Sequence, residues 1–412
     1  MERKDGAVEA WAHALGRLTG EVEQRLGGAA TALKRRFSGD RPLAVLPYRG
    51  YGTRERVYVT GRVVEDPGLS RARPTDRWYR NLVAMYRRIQ SAEVAGARVR
   101  IRLAGADVDA VTDAEGYYRA WVEPREPILA DRAWHEASVE LRAPRRAGHD
   151  SGAARQPVLV PPRTARFGVI SDMDDTVVRS NTTEIARMLR DVMFGNAHTR
   201  LPFDGVAAFY QALWEGVGGH RGPTRNPIFY VSSSPWNLYD VLIHFLEIHR
   251  IPVGPLELRD WGFSLSGKSS GSLPTAHREH KRLAIDRILT LYPDLPFILI
   301  GDSGQQDPEI YHEVVHDHPE RILACYIRNV SGHPERADAI DALAAEVRRA
   351  GSSLVLADDT ADAAEHAAEH GWIHPLEAEE VVVEAAHDEA EAEAHGEKQP
   401  APTVVVDGDG QR

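Results

Sequence analysis

The sequence predicts an α/β chain, in which a parallel sheet with helices on both faces follows a smaller antiparallel β unit. Three observations predict it. From about Arg166 to His374, short apolar segments alternate with helical patterns. From about Arg56 to Leu159, short runs alternate apolar and polar residues with the period of a strand. The apolar segments of the later region mostly end in polar or acidic residues, at the edge where open parallel sheets carry their sites.

Taken in order, residues 1–50 form an N-terminal segment. Val8, Trp11, Leu15, Leu18, Val22, Leu26, Leu33 and Phe37 recur at helical spacing, although Gly16, Gly20, Gly27 and Gly28 weaken that helix. It reads as a helix packed on the protein's own body or, alternatively, as a surface for a membrane or partner. Residues 51–162 form the β unit. In ARVRIRLAG, Val99, Ile101 and Leu103 share one face, and Arg98, Arg100 and Arg102 share the other. Thr112-Asp113-Ala114-Glu115-Gly116 reads as a hairpin turn leading into a strand. That turn resembles those of transthyretin-like or carboxypeptidase-regulatory β-sandwich modules. The unit shows no catalytic cluster, so a structural or binding role is expected.

Residues 163–375 hold the alternating pattern: FGVISD, PIFYVSS, PFILIGD, ILACYIR and SLVLADD as strands, with helical stretches between them. Residues 376–412 are Glu/Ala-rich and have little to bury, so a disordered or transiently helical tail is expected. From His374 onward eleven acidic residues face two basic ones, which accounts for nine of the eleven net negative charges. The body is nearly neutral and lacks the basic field of a nucleic-acid binder. The single cysteine, Cys325, excludes an internal disulfide. No run approaches the roughly 20 apolar residues of a membrane span. With no signal-peptide core in MERKDGAVEAWAHALG, the expected location is cytoplasmic.

Four polar groups stand at strand ends or a helix start. Ser171-Asp172-Met173-Asp174-Asp175-Thr176 crowds carboxylates after an apolar strand, which is costly unless a cation or proton is shared. Mg²⁺ prefers such oxygen ligands. Ser232, Ser233 and Ser234 close the next strand, and a hydroxyl there can bond a phosphate oxygen. Lys281 lies near the start of the helical stretch HKRLAIDRIL, where an ammonium can offset phosphoryl charge. Gly301-Asp302 leads to Asp307, and these acids can bind or orient a metal and its waters. Each group alone is as consistent with a solvated turn or an ordinary surface residue. Their order, each at the expected edge, decides for a site.

DxDxT, then Ser, then Lys, then GDxxxxD resembles the haloacid dehalogenase superfamily over roughly half the chain. The resemblance implies a Rossmann-like core and an Mg²⁺-dependent phosphatase. It implies Asp172 as nucleophile through an aspartyl-phosphate, and Asp174 as general acid and then base. Asp172, the Asp174 carbonyl and Asp302 would hold the metal. Asp307 is expected to orient a metal-bound water or Lys281. Ser232, with Ser233 as alternative, and Lys281 would hold phosphoryl oxygens, and Thr176 would support the loop.

Longer runs narrow this further. Phe167 to Thr176, Phe229 to Tyr239 (FYVSSSPWNLY), Leu258 to Gly262, His280-Lys281 and Ile300 to Tyr311 (IGDSGQQDPEIY) resemble the catalytic domain of the actin-patch-associated phosphatidate phosphatases. That family implies hydrolysis of phosphatidate to diacylglycerol and phosphate. Between the first two motifs, Ile185, Met188, Leu189, Val192, Met193 and Phe194 form an apolar face. It suits peripheral membrane contact or packing on the core. A phosphatase for a soluble phosphomonoester or phosphoprotein, and a non-catalytic scaffold, are the rival readings.

Overall fold

In a computed structural model the structure describes residues 42–65, 93–129, 131–144, 153–173, 205–222, 225–259, 273–330 and 333–394. The expected N-terminal helix, Asp174, Thr176 and the apolar face around Ile185 to Phe194 lie outside them.

The first sheet has eight strands: β1 (Leu43–Pro47), β2 (Gly50–Gly52), β3 (Val57–Glu65), β4 (Arg98–Leu103), β5 (Ala106–Val111), β6 (Tyr117–Val122), β7 (Trp134–Ala143) and β8 (Ala154–Leu159). Their order is β1-β3-β2-β8-β7-β4-β5, with β6 pairing β3. Expected as antiparallel throughout, the sheet is mixed, because β2 and β8 run parallel. In β4 the alternation holds: Val99, Ile101 and Leu103 are buried. On its other face Arg100 pairs with Asp109, and Arg102 with Asp107, on the neighbouring β5. The Asp113 turn also forms. Asp113 Oδ1 accepts from the Glu115 and Tyr117 N–H groups at 3.1 and 2.8 Å, and Gly116 has a φ of 81°. The turn does not close a hairpin, however. It passes from β5, which pairs β4, to β6, which pairs β3. A turn sequence fixes the local reversal and leaves the ladder partner to the tertiary structure.

The second sheet has β9 (Gly168–Asp172), β10 (Ile228–Pro235), β11 (Leu256–Arg259), β12 (Phe297–Asp302), β13 (Ile322–Arg328) and β14 (Ser353–Ala357). All are parallel in the order β11-β10-β9-β12-β13-β14. The helices are α1 (Val206–Glu215), α2 (Tyr239–Ile248), α3 (Leu273–Leu291), α4 (Asp307–Asp317), α5 (Pro334–Arg349), α6 (Thr360–Glu369) and α7 (Pro375–Ala394). Successive strand residues alternate between two cores. Val169, Ile298 and Ile300 meet Leu213, Leu246, Ala364 and Val381. Ile170, Phe297 and Leu299 meet Ile285, Ile288, Val314 and Ile340. Both faces are thus covered, which is why these strands read as continuous apolar runs.

α7 occupies the start of the segment expected to be a disordered or transiently helical tail, and it is a packed helix. Ala378 and Val381, three apart, are buried against α1 and α6, and an Ala/Glu-rich run has high helix propensity once it has a face to bury. The two sheets also share an interface. Tyr48, between β1 and β2, lies 5.0 Å from the Trp236 ring at 13° and 4.3 Å from the Tyr239 ring. Tyr292 OH donates to the Gly52 carbonyl at 3.1 Å, and Tyr51 OH donates to the Glu257 carboxylate.

Candidate active site

Strand register assembles the site. Asp172 lies opposite Val231, so Ser232 stands one residue beyond it on β10. Ser171 lies opposite Ile300, so Asp302 reaches the same edge on β12. β9 sits between β10 and β12, and the chemistry-bearing residues therefore meet at the carboxyl ends of three adjacent strands.

Lys281, expected at the start of a helix, stands near the middle of α3 and completes the cluster from there. Its Nζ is 3.0 Å from Asp172 Oδ1 and in contact with Asp307 Oδ1. Lys281, Asp172, Asp302 and Asp307 are each at most 3% exposed. Burial alone would lower the lysine pKa. The carboxylates of Asp172 and Asp307 outweigh it and hold Lys281 well above the ordinary lysine value, so it is charged. Asp307 Oδ2 accepts the Asp302 N–H at 3.2 Å. Asp302 Oδ1 accepts the Gly304 and Gln305 N–H groups at 2.7 and 3.0 Å, which folds the loop into α4. Gly301 is required there, because a Cβ would collide with the Asp307 carboxylate.

The donor set fits a hard divalent cation. Asp172, Asp302 and Asp307 each offer an oxygen, all within 4.8 Å of one another. Three buried carboxylates face one buried ammonium, leaving negative charge that a cation offsets. Because Lys281 and the Asp302 N–H already engage both Asp307 oxygens, Asp172 and Asp302 are the better placed pair of ligands.

Ser232 is fully buried and its Oγ accepts the Ser234 N–H at 3.0 Å, while Ser233 is half-buried. Asp174 and Thr176 were predicted to join this site and lie outside the described residues.

Three residues support the site, of which Tyr210 and Arg336 were not visible in the sequence. Tyr210 OH lies 2.6 Å from Ser171 Oγ, which donates to the Asp172 carbonyl at 2.7 Å and so fixes the strand end. Arg336, on α5, donates through Nε to the Ser303 carbonyl at 3.0 Å and through Nη2 to the Gln305 carbonyl at 2.8 Å, bracing the Asp302 loop from outside. Burial pushes the His280 pKa below its ordinary value, partly offset by hydrogen bonds to the backbone of Glu257 and Ser232, which tie the helix carrying Lys281 to β10 and β11.

Comparison with known proteins converges on this region. Residues 167–329 match the family described as phosphatidate phosphatase APP1, catalytic domain. The phosphatidate phosphatase APP1 of Saccharomyces cerevisiae is 33% identical over 163 residues, covering 39% of this chain and 26% of the relative. An uncharacterized protein of Schizosaccharomyces pombe is 29% identical over 165 residues, covering 40% of this chain and 25% of the relative. The chain thus spans about a quarter of the length of these curated relatives. Among solved structures, a carbohydrate acetylesterase from Xanthomonas citri is 12% identical at a TM-score of 0.25, covering 75% of each chain, too distant to bear on fold or function.

Proposed function

We propose that this chain is an Mg²⁺-dependent phosphatidate phosphatase with a haloacid dehalogenase-type core, releasing phosphate and diacylglycerol through an aspartyl-phosphate. One observation carries the proposal: the buried Asp172–Lys281–Asp307 ion-pair chain beside Asp302 lies wholly within the region that matches the phosphatidate phosphatase catalytic domain.

An Asp172 carboxylate oxygen attacks phosphorus, and the bond from phosphorus to the glycerol oxygen breaks. Asp174 gives its proton to that oxygen, so diacylglycerol leaves neutral. Asp174, now ionised, takes a proton from water as the water oxygen attacks phosphorus. The bond to Asp172 then breaks, restoring its carboxylate and freeing phosphate. Lys281, oriented by Asp307, stands beside the reacting carboxylate where it offsets phosphoryl charge. Ser232 offers a hydroxyl to a phosphoryl oxygen. Asp172 and Asp302 hold the Mg²⁺, which when bound supplies positive charge against the phosphoryl oxygens. The substrate places the enzyme at a membrane surface as a peripheral protein, reached from the cytoplasm. Among the described residues no helix is long and apolar enough to cross a membrane.

Phosphate release from phosphatidate in mixed micelles, set against a panel of soluble phosphomonoesters, tests the reading. Turnover of phosphatidate is expected, lost on chelation of Mg²⁺ and lost roughly a thousandfold or more in Asp172→Asn. Turnover confined to soluble esters would sink the lipid assignment and keep the phosphatase.

A further inference from the structure

A second group of ligand-type side chains lies at the other edge of the parallel sheet. α1 carries the chain away from the carboxyl edge and ends at Glu215. Beyond it the Asn226 N–H donates to the Trp214 carbonyl at 2.8 Å, just before β10 begins. Glu215 therefore stands near the amino ends of the strands, away from Asp172. His220 follows in the 310-helical turn Gly216–Arg221, and Glu377 comes from the first turn of α7.

One ligand atom from each of Glu215, His220 and Glu377 lies within 4.8 Å of the other two. His220 Nδ1 contacts the Glu215 carboxylate and lies 3.7 Å from Glu377 Oε1. Its Nε2 is 3.8 Å from Glu380 Oε2, one turn further along α7. The His220 N–H donates to Glu377 Oε1 at 2.9 Å, and Gln211 Nε2 donates to Glu215 Oε1 at 2.6 Å. The backbone is shaped for this approach. Gly219 has a φ of 58°, and a Cβ there would collide with Glu377 Oε1.

The charges do not balance. Glu215 and Glu377 are 4% and 7% exposed, whereas the His220 side chain is 59% exposed. Even a protonated imidazole supplies one positive charge against two buried carboxylates. Glu377 Oε2 is buried and has no hydrogen-bond partner among the described residues. An acceptor oxygen in that position, beside a second carboxylate, is held either by a proton shared between the two or by a cation that displaces it. Burial first, then the Glu215 carboxylate, push Glu377 up to about 7 in spite of His220.

We propose that Glu215, His220 and Glu377 form a binding site for a divalent transition ion of the Zn²⁺ class that fastens α7 to the end of α1. An imidazole nitrogen among carboxylate oxygens suits such an ion better than Mg²⁺, which favours oxygen alone. The open face at His220 is the entry path and leaves a position for water. The site's role is structural. It joins the acidic C-terminal helix to the body and contributes no group to the reaction.

The test uses the full chain in excess Mg²⁺, so that the Asp172 site is saturated. Zn²⁺ is added, equilibrium dialysis follows, and bound zinc is counted by elemental analysis, with Tm read in parallel. Wild type is expected to retain one more equivalent of Zn²⁺ than His220→Ala or Glu377→Gln, whose affinity falls by roughly tenfold or more. Asp302→Asn is expected to retain that equivalent. Zn²⁺ should raise the Tm of wild type and of Asp302→Asn, and not of His220→Ala. Equal zinc in wild type and His220→Ala overturns the proposal, as does loss of the equivalent in Asp302→Asn. The other surface histidines are common to every variant, and Glu377→Gln keeps His220 as well, so nonspecific uptake cancels in that difference.

Discussion

Lys281 Nζ lies 3.0 Å from Asp172 Oδ1 where both residues are almost wholly buried, and the Asp307 carboxylate touches the same ammonium. An ammonium held this way cannot be removed without leaving two carboxylates facing each other in a dry site. Lys281→Met is therefore expected to cost about 3–5 kcal/mol of stability. On the proposed mechanism activity should fall by roughly a hundredfold or more, since the charge beside Asp172 is gone. Urea denaturation and phosphate release check the two effects separately. Stability unchanged by the substitution would mean that the ion pairs are not formed as described.

Gly301 sits between that triad and the loop it depends on. A Cβ at this position meets the Asp307 carboxylate, which must then give up the Asp302 N–H, Lys281 or both. Gly301→Ala should thus act on the proposed metal site through Asp307. The Mg²⁺ concentration for half-maximal activity is expected to rise by roughly ten- to a hundredfold. The stability loss should stay within about 1–3 kcal/mol, the usual cost of overpacking. A Mg²⁺ titration of phosphate release separates this from general damage, which would lower the maximal rate with no change in metal dependence.

The site was legible in the sequence where chemistry coincides with a strand end. Asp172 and Asp302 close apolar runs of a parallel sheet, so pattern alone places them at one edge, whereas Lys281, expected at the start of a helical stretch, stands near the middle of α3 and reaches that edge only through the fold. Register then brings them together. Tyr210 and Arg336 were not legible, because each acts across the fold: Tyr210 on Ser171, and Arg336 on Ser303 and Gln305. Nothing local distinguishes either from an ordinary helix residue. The same holds for α7, whose composition is that of a solvated tail and whose order depends on Ala378 and Val381 finding α1 and α6. The β-unit turn shows the limit in another form. Asp113 and Gly116 specify the reversal, yet the partner of each flanking strand is set by burial elsewhere.

The contact between the two sheets makes a prediction about cooperativity. Tyr48 is 4% exposed and stacks on Trp236, which directly follows β10, the strand that carries Ser232. Removing a buried aromatic of this kind costs about 3–5 kcal/mol. Tyr48→Ala is expected to lower stability by that order and to split one unfolding transition into two, because the two sheets lose the Tyr48–Trp236–Tyr239 part of the core they share and keep the contacts around Tyr51. Calorimetry on wild type and variant checks it. Phosphate release should fall as well, through looser placement of Ser232. A variant that unfolds in one step with unchanged midpoint would show that the interface contributes little.

His249 gives a pH dependence of stability with a definite sign. It caps α2, its ring lies 4.4 Å from Phe245, and its Nε2 is buried with no hydrogen-bond partner among the described residues. Burial pushes its pKa from 6.5 down to about 4. The folded state therefore favours neutral imidazole, while the unfolded chain takes up a proton near 6.5. The stability this residue contributes is complete above the unfolded value and is lost as pH falls from 6.5 toward 4. In that window the wild type should lose stability more steeply than His249→Gln, by up to about one proton in the linkage slope. Urea midpoints measured across the window for both proteins provide the test, and parallel slopes would show that His249 titrates alike in the folded and unfolded states.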